Sequence, residues 1–168
     1  AVYINYLLTP ATVALAIPLY EQLQILKKNA IAIFTGIIAG TVAGLASVLG
    51  LSVLFGLTHE QYVTLLPKSI TTAIGMGISE ELGGIVTISV AVIVLTGIWV
   101  NISSEYILKW FHITDSVAKG IAIGTSSHAM GTAKAIEMGE VEGAMSGLSI
   151  AVAGMITVIG ANIFSIFY

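Results

Sequence analysis

The chain has 168 residues, of which 57% are hydrophobic and 9% charged, with a formal net charge of −3 and a mean hydropathy of +1.00. A soluble domain carries about 25% charged residues, so no single soluble core hides this much apolar surface, and the composition predicts a multi-pass membrane protein. Arginine and cysteine are absent, which excludes disulfides, thiolate metal sites and a cysteine nucleophile and leaves no basic surface for nucleic acid.

Residues 1–20 are uncharged but contain Pro10 and Pro18. Proline removes a backbone donor, so a crossing segment bent near TPATVALAIP is expected there. No signal-peptide n-region precedes it, and further helices are expected ahead of Ala1. Residues 21–29, with Lys27 and Lys28, read as a polar loop. Residues 30–57 are long enough to cross a bilayer. Gly36, Gly40 and Gly44 form a small-xxx-small ladder on that span, suited to tight packing within the chain or to a homodimer. Residues 58–66, with His59 and Glu60, read as a loop.

Residues 67–84, PKSITTAIGMGISEELGG, form a first polar break. The 11 uncharged residues between Lys68 and Glu80 make about 16 Å of helix, near half a bilayer. Residues 85–104 predict a third span. Residues 105–119 read as an amphipathic loop whose Trp110, Phe111 and His112 suit the membrane interface. Residues 120–142 form a second polar break, and residues 143–168, uncharged throughout, the last span.

The stretch GIAIGTSSHAMGTAKAIEMGEVEG, residues 120–143, places a histidine, a lysine, three glutamates and four hydroxyl side chains inside otherwise apolar sequence. Such groups at membrane depth are expensive and point to function. Ala73-Ile74-Gly75 and Glu81-Leu82-Gly83 recur as Ala129-Met130-Gly131 and Glu137-Met138-Gly139, at a constant offset of 56 residues. The expected organisation is one transmembrane domain over 1–168, with repeat unit one at 30–84, unit two at 85–142 and a last span at 143–168. Lys27/Lys28 and Lys109/Lys119 both lie on the cytoplasmic side only if the first break dips in and returns. The two copies are then inverted. If the break crosses fully, they are parallel. Inverted repeats with interrupted helices meeting at mid-membrane are a mark of secondary transporters. The fold class is therefore all-α, polytopic, with an internal, inverted repeat and two interrupted or re-entrant helices.

An interrupted helix exposes N–H groups at one end and C=O groups at the other, and its N-terminal ends attract anions. Around the second break Thr125, Ser126, Ser127, His128, Gly131 and Thr132 offer hydroxyls, flexible backbone and an imidazole, with Lys134 as a charge partner. Ser69, Thr71 and Thr72 are the matching hydroxyls of the first break, and Lys68 its cation. The expected lining of a small-anion site is Ser69, Thr71, Thr72, Thr125, Ser126, Ser127, His128, Gly131 and Thr132, with Lys134 as the charge partner. His128 either couples transport to protons or is satisfied by neighbouring carbonyls. Lys134 and Glu137, three apart on a helix, are placed to pair. Glu81, His128 and Glu137 are the candidates for ion coupling, the two glutamates being equivalent under the offset. Ser127-His128 is no catalytic dyad, since adjacent helical side chains do not face each other. The HExxH, GxSxG, GxGxxG and Walker A patterns are absent, so no enzyme, cofactor or metal is expected.

LTPATVALAIPLYEQ, LPKSITTAIGMGISEELGGI and GIAIGTSSHAMGTAKAIEMGEVEGAMSGL resemble, in order, motifs of the LrgB/CidB family of holin-like and antiholin-like proteins, whose plant relative is the plastidial glycolate/glycerate translocator. The resemblance covers essentially the whole chain. Ala73 departs from it where many members carry proline, and Ala129-Met130 replaces a common Gly-Ile. It implies a place in the bacterial inner (cell) membrane and one of two functions. One is secondary transport of small monocarboxylates such as glycolate, glycerate, pyruvate or lactate. The other is regulation of murein hydrolase export and autolysis with a small LrgA/CidA-type membrane partner. The paired polar breaks favour the transporter.

Overall fold

The computed structural model describes residues 20–168. The expected bend near Pro10 and Pro18 lies outside the described residues. Seven helices follow in order: α1 (Leu23–Phe55), α2 (His59–Leu65), α3 (Thr72–Glu81), α4 (Val86–Trp110), α5 (Ser116–Ser126), α6 (Ala129–Met138) and α7 (Glu140–Phe164), with a 3₁₀ turn at Ser165–Phe167. No strand occurs among the described residues. A long helix followed by two short ones therefore occurs twice, as α1-α2-α3 and as α4-α5-α6.

α1, α4 and α7 are the membrane-crossing helices by length and composition. At 1.5 Å per residue the 25-residue α4 and α7 are about 37 Å long, more than the roughly 30 Å hydrocarbon layer. Their large apolar side chains point outward: Leu54 is 75% exposed, Trp99 68% and Ile159 66%. Small and polar residues turn inward, including Thr41, Ser89, Ser146, Ser149 and Thr157. That arrangement is reversed from a water-soluble core and fits a chain solvated by lipid.

α1 begins at Leu23, earlier than the charge pattern suggests, but Asn29 leaves the helical range (φ −112°, ψ 15°). Its Nδ2 donates to the Ile25 carbonyl at 3.1 Å, so a kink separates the Lys27/Lys28 turn from the apolar span. The helix ends at Gly56, whose left-handed φ of 61° lets its N–H return to the last turn. The loop expected at 58–66 is instead the helix α2. Thr58 and Gln61 form a reciprocal capping box that offsets the cost of starting so short a helix. Tyr62, Val63, Leu66 and Ile70 then pack on Leu45, Val48, Ile78 and Ala161. The amphipathic loop expected at 105–119 is likewise shorter, because α4 continues to Trp110 and Asp115 caps α5 through Ala118 N–H at 2.8 Å.

α7 is the central post. Gly120 and Gly124 of α5 press on it so closely that a Cβ would lie 2.6 Å from the Glu142 carbonyl oxygen and 2.5 Å from that of Ser146. Gly36 and Gly40 of α1 face Ile121 and Thr125 of α5. Of the ladder, Gly40 serves a close α1–α5 approach, since a Cβ there would lie 2.8 Å from the Thr125 hydroxyl oxygen, whereas Gly36 has ordinary contact room and Gly44 has nothing within 4 Å.

Candidate functional site

The two breaks differ in form. The first is the non-helical stretch 66–71, opening with the buried Pro67. The second is a two-residue extended link, Ser127 (φ −146°, ψ −177°) and His128 (φ −110°, ψ −151°), between α5 and α6. The second break and the helix α3 that follows the first break meet α4 at one residue. His128 Nε2 lies 2.8 Å from the Ile93 carbonyl oxygen, and the Ile93 side chain sits over Gly75 of α3.

The second break is pinned from several sides. Gly97 leaves room for the imidazole, since a Cβ there would lie 2.5 Å from Nε2. Asn101 Nδ2 donates to the Met130 carbonyl at 2.9 Å. Gly131 makes space for the Ser127 hydroxyl. Thr132 Oγ1 meets Ser146 Oγ at 2.8 Å, both buried. The first arm is tied differently: buried Ser89 of α4 lies 2.8 Å from the Thr64 carbonyl and 2.7 Å from Ser79 Oγ.

Between the first break, α1, the end of α5 and α7 lies a narrow polar cleft, lined by Thr41, Lys68, Ser69, Thr125 and Thr157 among apolar neighbours. Its free space of about 20 Å³ has room for a single water. Thr41 lies about 18 Å from the Asn29 kink and about 20 Å from the end of α1 at Phe55, counted along the helix. That puts the cleft near mid-membrane.

The hydroxyls are unequal. Thr41 donates to the Ile37 carbonyl at 2.8 Å and Thr125 to that of Ile121 at 2.8 Å. Ser126 and Ser127 do the same to Ala122 and Ile123, at 2.6 and 2.9 Å. A hydroxyl has one proton to give, so this serine-threonine run has already used its donors on its own helix. Lys68 Nζ donates to Ser69 Oγ at 2.9 Å. No carboxylate lies within 4.0 Å of it among the described residues, and residues 1–19 contain none. Among the described residues the cleft therefore holds a lysine without an ion pair.

Of the residues expected to line an anion site, Ser69 and Thr125 face this cleft. Thr71 and Thr72 open α3 and are half-buried. Ser127, His128, Gly131 and Thr132 are buried in the second break. Ser126 is exposed, in an apolar groove beside Trp99. Lys134 lies outside the cleft, paired with Glu137 at 3.1 Å and Glu105 at 3.6 Å. Glu81 is exposed at the end of α3, and Glu137 is exposed too. Thr41 and Thr157 join the cleft without having been expected there. Their signal is a threonine in mid-span of a charge-free helix. Among the described residues no three His, Asp or Glu side chains converge to hold a metal ion.

Comparison with known proteins gives a consistent result. The model of the LrgB-like family matches residues 1–167. The chain is 42% identical over 147 residues to Uncharacterized protein YxaC of Bacillus subtilis, covering 88% of this chain and 64% of that protein. It is 39% identical over 156 residues to Antiholin-like protein LrgB of Bacillus mycoides and of Bacillus cereus, covering 93% of this chain and 68% of theirs. The chain thus spans about two thirds of the length of these relatives. No solved structure matches.

Proposed function

We propose, because the chain belongs to the LrgB-like family, that it is an antiholin-like protein of the bacterial cell membrane, regulating murein hydrolase export and autolysis with a small LrgA/CidA-type membrane partner. The observation that carries this reading is its similarity, along nearly its whole length, to relatives named antiholin-like. The outward apolar faces of α1, α4 and α7 are consistent with it, since a membrane partner would bind in lipid against such faces. The test is a deletion strain and its complement, followed by detergent-induced lysis and murein hydrolase activity in the medium. Faster lysis on deletion, reversed by the intact gene, supports the reading. Unchanged lysis in both strains overturns it.

One observation favours a second reading at the level of the molecule, the mid-membrane cleft with an unpaired lysine between two interrupted helices. It supports secondary transport of small monocarboxylates, of the glycolate, glycerate, pyruvate or lactate type. In this reading the two three-helix units are inverted repeats, and one moves against the other to expose the cleft alternately to either side. Moving a weak acid across the membrane would alter proton and metabolite balance, and lysis would respond downstream, so the readings are compatible. Uptake of radiolabelled lactate, pyruvate and glycolate by proteoliposomes holding the full-length protein tests transport. Saturable uptake supports it. Leakage of a neutral dye without acid uptake counts against it.

A further inference from the structure

We propose that Lys68 is the counter-charge for one carboxylate group held in the cleft, and that this lone cation selects monoanions over dianions. The proposal rests on the transport reading and assigns its specificity to named atoms.

Lys109, Lys119 and Lys134 each have a glutamate, at 2.9, 3.8 and 3.1 Å respectively. Lys68 stands on non-helical chain near mid-membrane and has none. A partly buried ammonium without a counter-charge is unfavourable in a low-dielectric setting. The fold nevertheless fixes it there, between the buried Pro67 and the buried Ile70 and against the Ser69 hydroxyl. Among the described residues the other half of an ion pair is missing, and a bound anion would supply it.

The donors left over fit that anion. Ser69 Oγ accepts from Lys68 and so keeps its own proton to give. Thr157 is 4% exposed and lines the same cleft. Thr41 and Thr125 have already given their protons to helix carbonyls. The ammonium and the Ser69 hydroxyl are thus free donors, with the Thr157 hydroxyl on the same cleft, and a carboxylate is an acceptor-only group with two oxygens. Charge-assisted bonds of this kind are the strong ones.

The same count sets selectivity. Among the described residues no second cation lines the cleft, so the second charge of a dicarboxylate would stay unpaired among apolar neighbours such as Leu45, Leu66 and Ile70. With room for a single water, the cleft is closed in this conformation, and an acid enters only when the 66–71 stretch moves away from α7.

The test uses the full-length protein in proteoliposomes at neutral pH, with radiolabelled lactate and succinate as probes and equilibrium binding measured on the same preparations. Wild type is expected to take up lactate at least about tenfold faster than succinate. Lys68→Met is expected to lose lactate binding and uptake by about tenfold or more, Lys68→Arg to keep a measurable share, and Thr157→Val to weaken binding by about tenfold, as for loss of one bond to a charged group. Size-exclusion profile and thermal melt identify variants that fold. A folded Lys68→Met with wild-type uptake overturns the role of Lys68 while transport stands. Equal uptake of lactate and succinate overturns the selectivity. Wild type that neither binds nor moves either acid overturns the transport reading and the proposal with it.

Discussion

The two breaks resemble each other in sequence and differ in how their polar groups are employed. At the second, the His128 ring, the Asn101 amide and the hydroxyls of Thr125, Ser126, Ser127 and Thr132 all have partners within the chain. At the first, Lys68 has only a neighbouring hydroxyl. A saturated break resists displacement, because moving it away from α4 and α7 leaves the buried His128 ring and Thr132 hydroxyl unpaired. An unsaturated break retains capacity for something else. Density of polar residues therefore marks where a helix is interrupted, and not where a ligand sits. The ligand's place is found by asking which donors remain.

The comparison can be broken most forcefully at the saturated break. Gly124→Val would drive a branched side chain into the Ser146 backbone, which cannot step aside as a flexible side chain could. We expect a loss of about 3 kcal/mol or more, seen as collapse of the detergent-solubilised melt. Gly77→Ala, on α3 with nothing within 4 Å of the new methyl, should leave the melt unchanged. Comparable melts for the two variants would mean that α5 and α7 are not in this contact. Next in size is Gly97→Ala, which displaces the His128 ring and should cost about 1–3 kcal/mol. His128→Ala in the same chain removes the clash, so the double variant should melt higher than the sum of the single effects predicts. Simple additivity would show that Gly97 and His128 do not touch.

Much of the fold was legible beforehand because hydropathy and charge spacing report on lipid solvation. That is why α1, α4 and α7 occur where apolar spans are expected, although α1 starts seven residues earlier and α4 ends six residues later than the charge pattern suggests. α2 was not legible as a helix because His59, Glu60 and Gln61 give it a loop's polarity, although Thr58 and Gln61 carry its capping box in plain view. The Lys134–Glu137 pair was legible from spacing three apart. The partner of His128 was not, because a backbone carbonyl on α4 leaves no mark in side-chain sequence. Thr41 and Thr157 were hidden for another reason. An apolar helix has no polar face to set its phase, so sequence alone does not say which of its threonines point inward.

Smaller effects sharpen the comparison further. Ser89→Ala removes the hydroxyl that links Thr64 of α2 and Ser79 of α3 to α4. It leaves the buried Thr64 carbonyl and Ser79 hydroxyl short of a partner, a loss of about 1–2 kcal/mol. Its effect should be local, since no residue of the second break bonds to Ser89. Hydrogen exchange should therefore quicken in α2 and α3 and stay unchanged in α6. Faster exchange in α6 would show that the two joints are coupled through α4, with Ile93 as the shared contact.

The smallest effect is expected at Lys134, and it separates the two lysines most cleanly. Lys134 sits between two exposed or half-exposed glutamates, Glu137 and Glu105. Exposed ion pairs are screened and cost side-chain freedom, so they contribute little. Lys134→Met should therefore leave the melt and acid uptake as they are, whereas Lys68→Met, an identical change of chemistry, should lower uptake by about tenfold or more. The sequence alone ranks Lys134 first, because it stands in the denser polar stretch beside His128. If Lys134→Met abolishes uptake and Lys68→Met does not, the site belongs to the second break. In that case the hydroxyls of Thr125, Ser126 and Ser127 must turn away from their own helix carbonyls to meet a ligand.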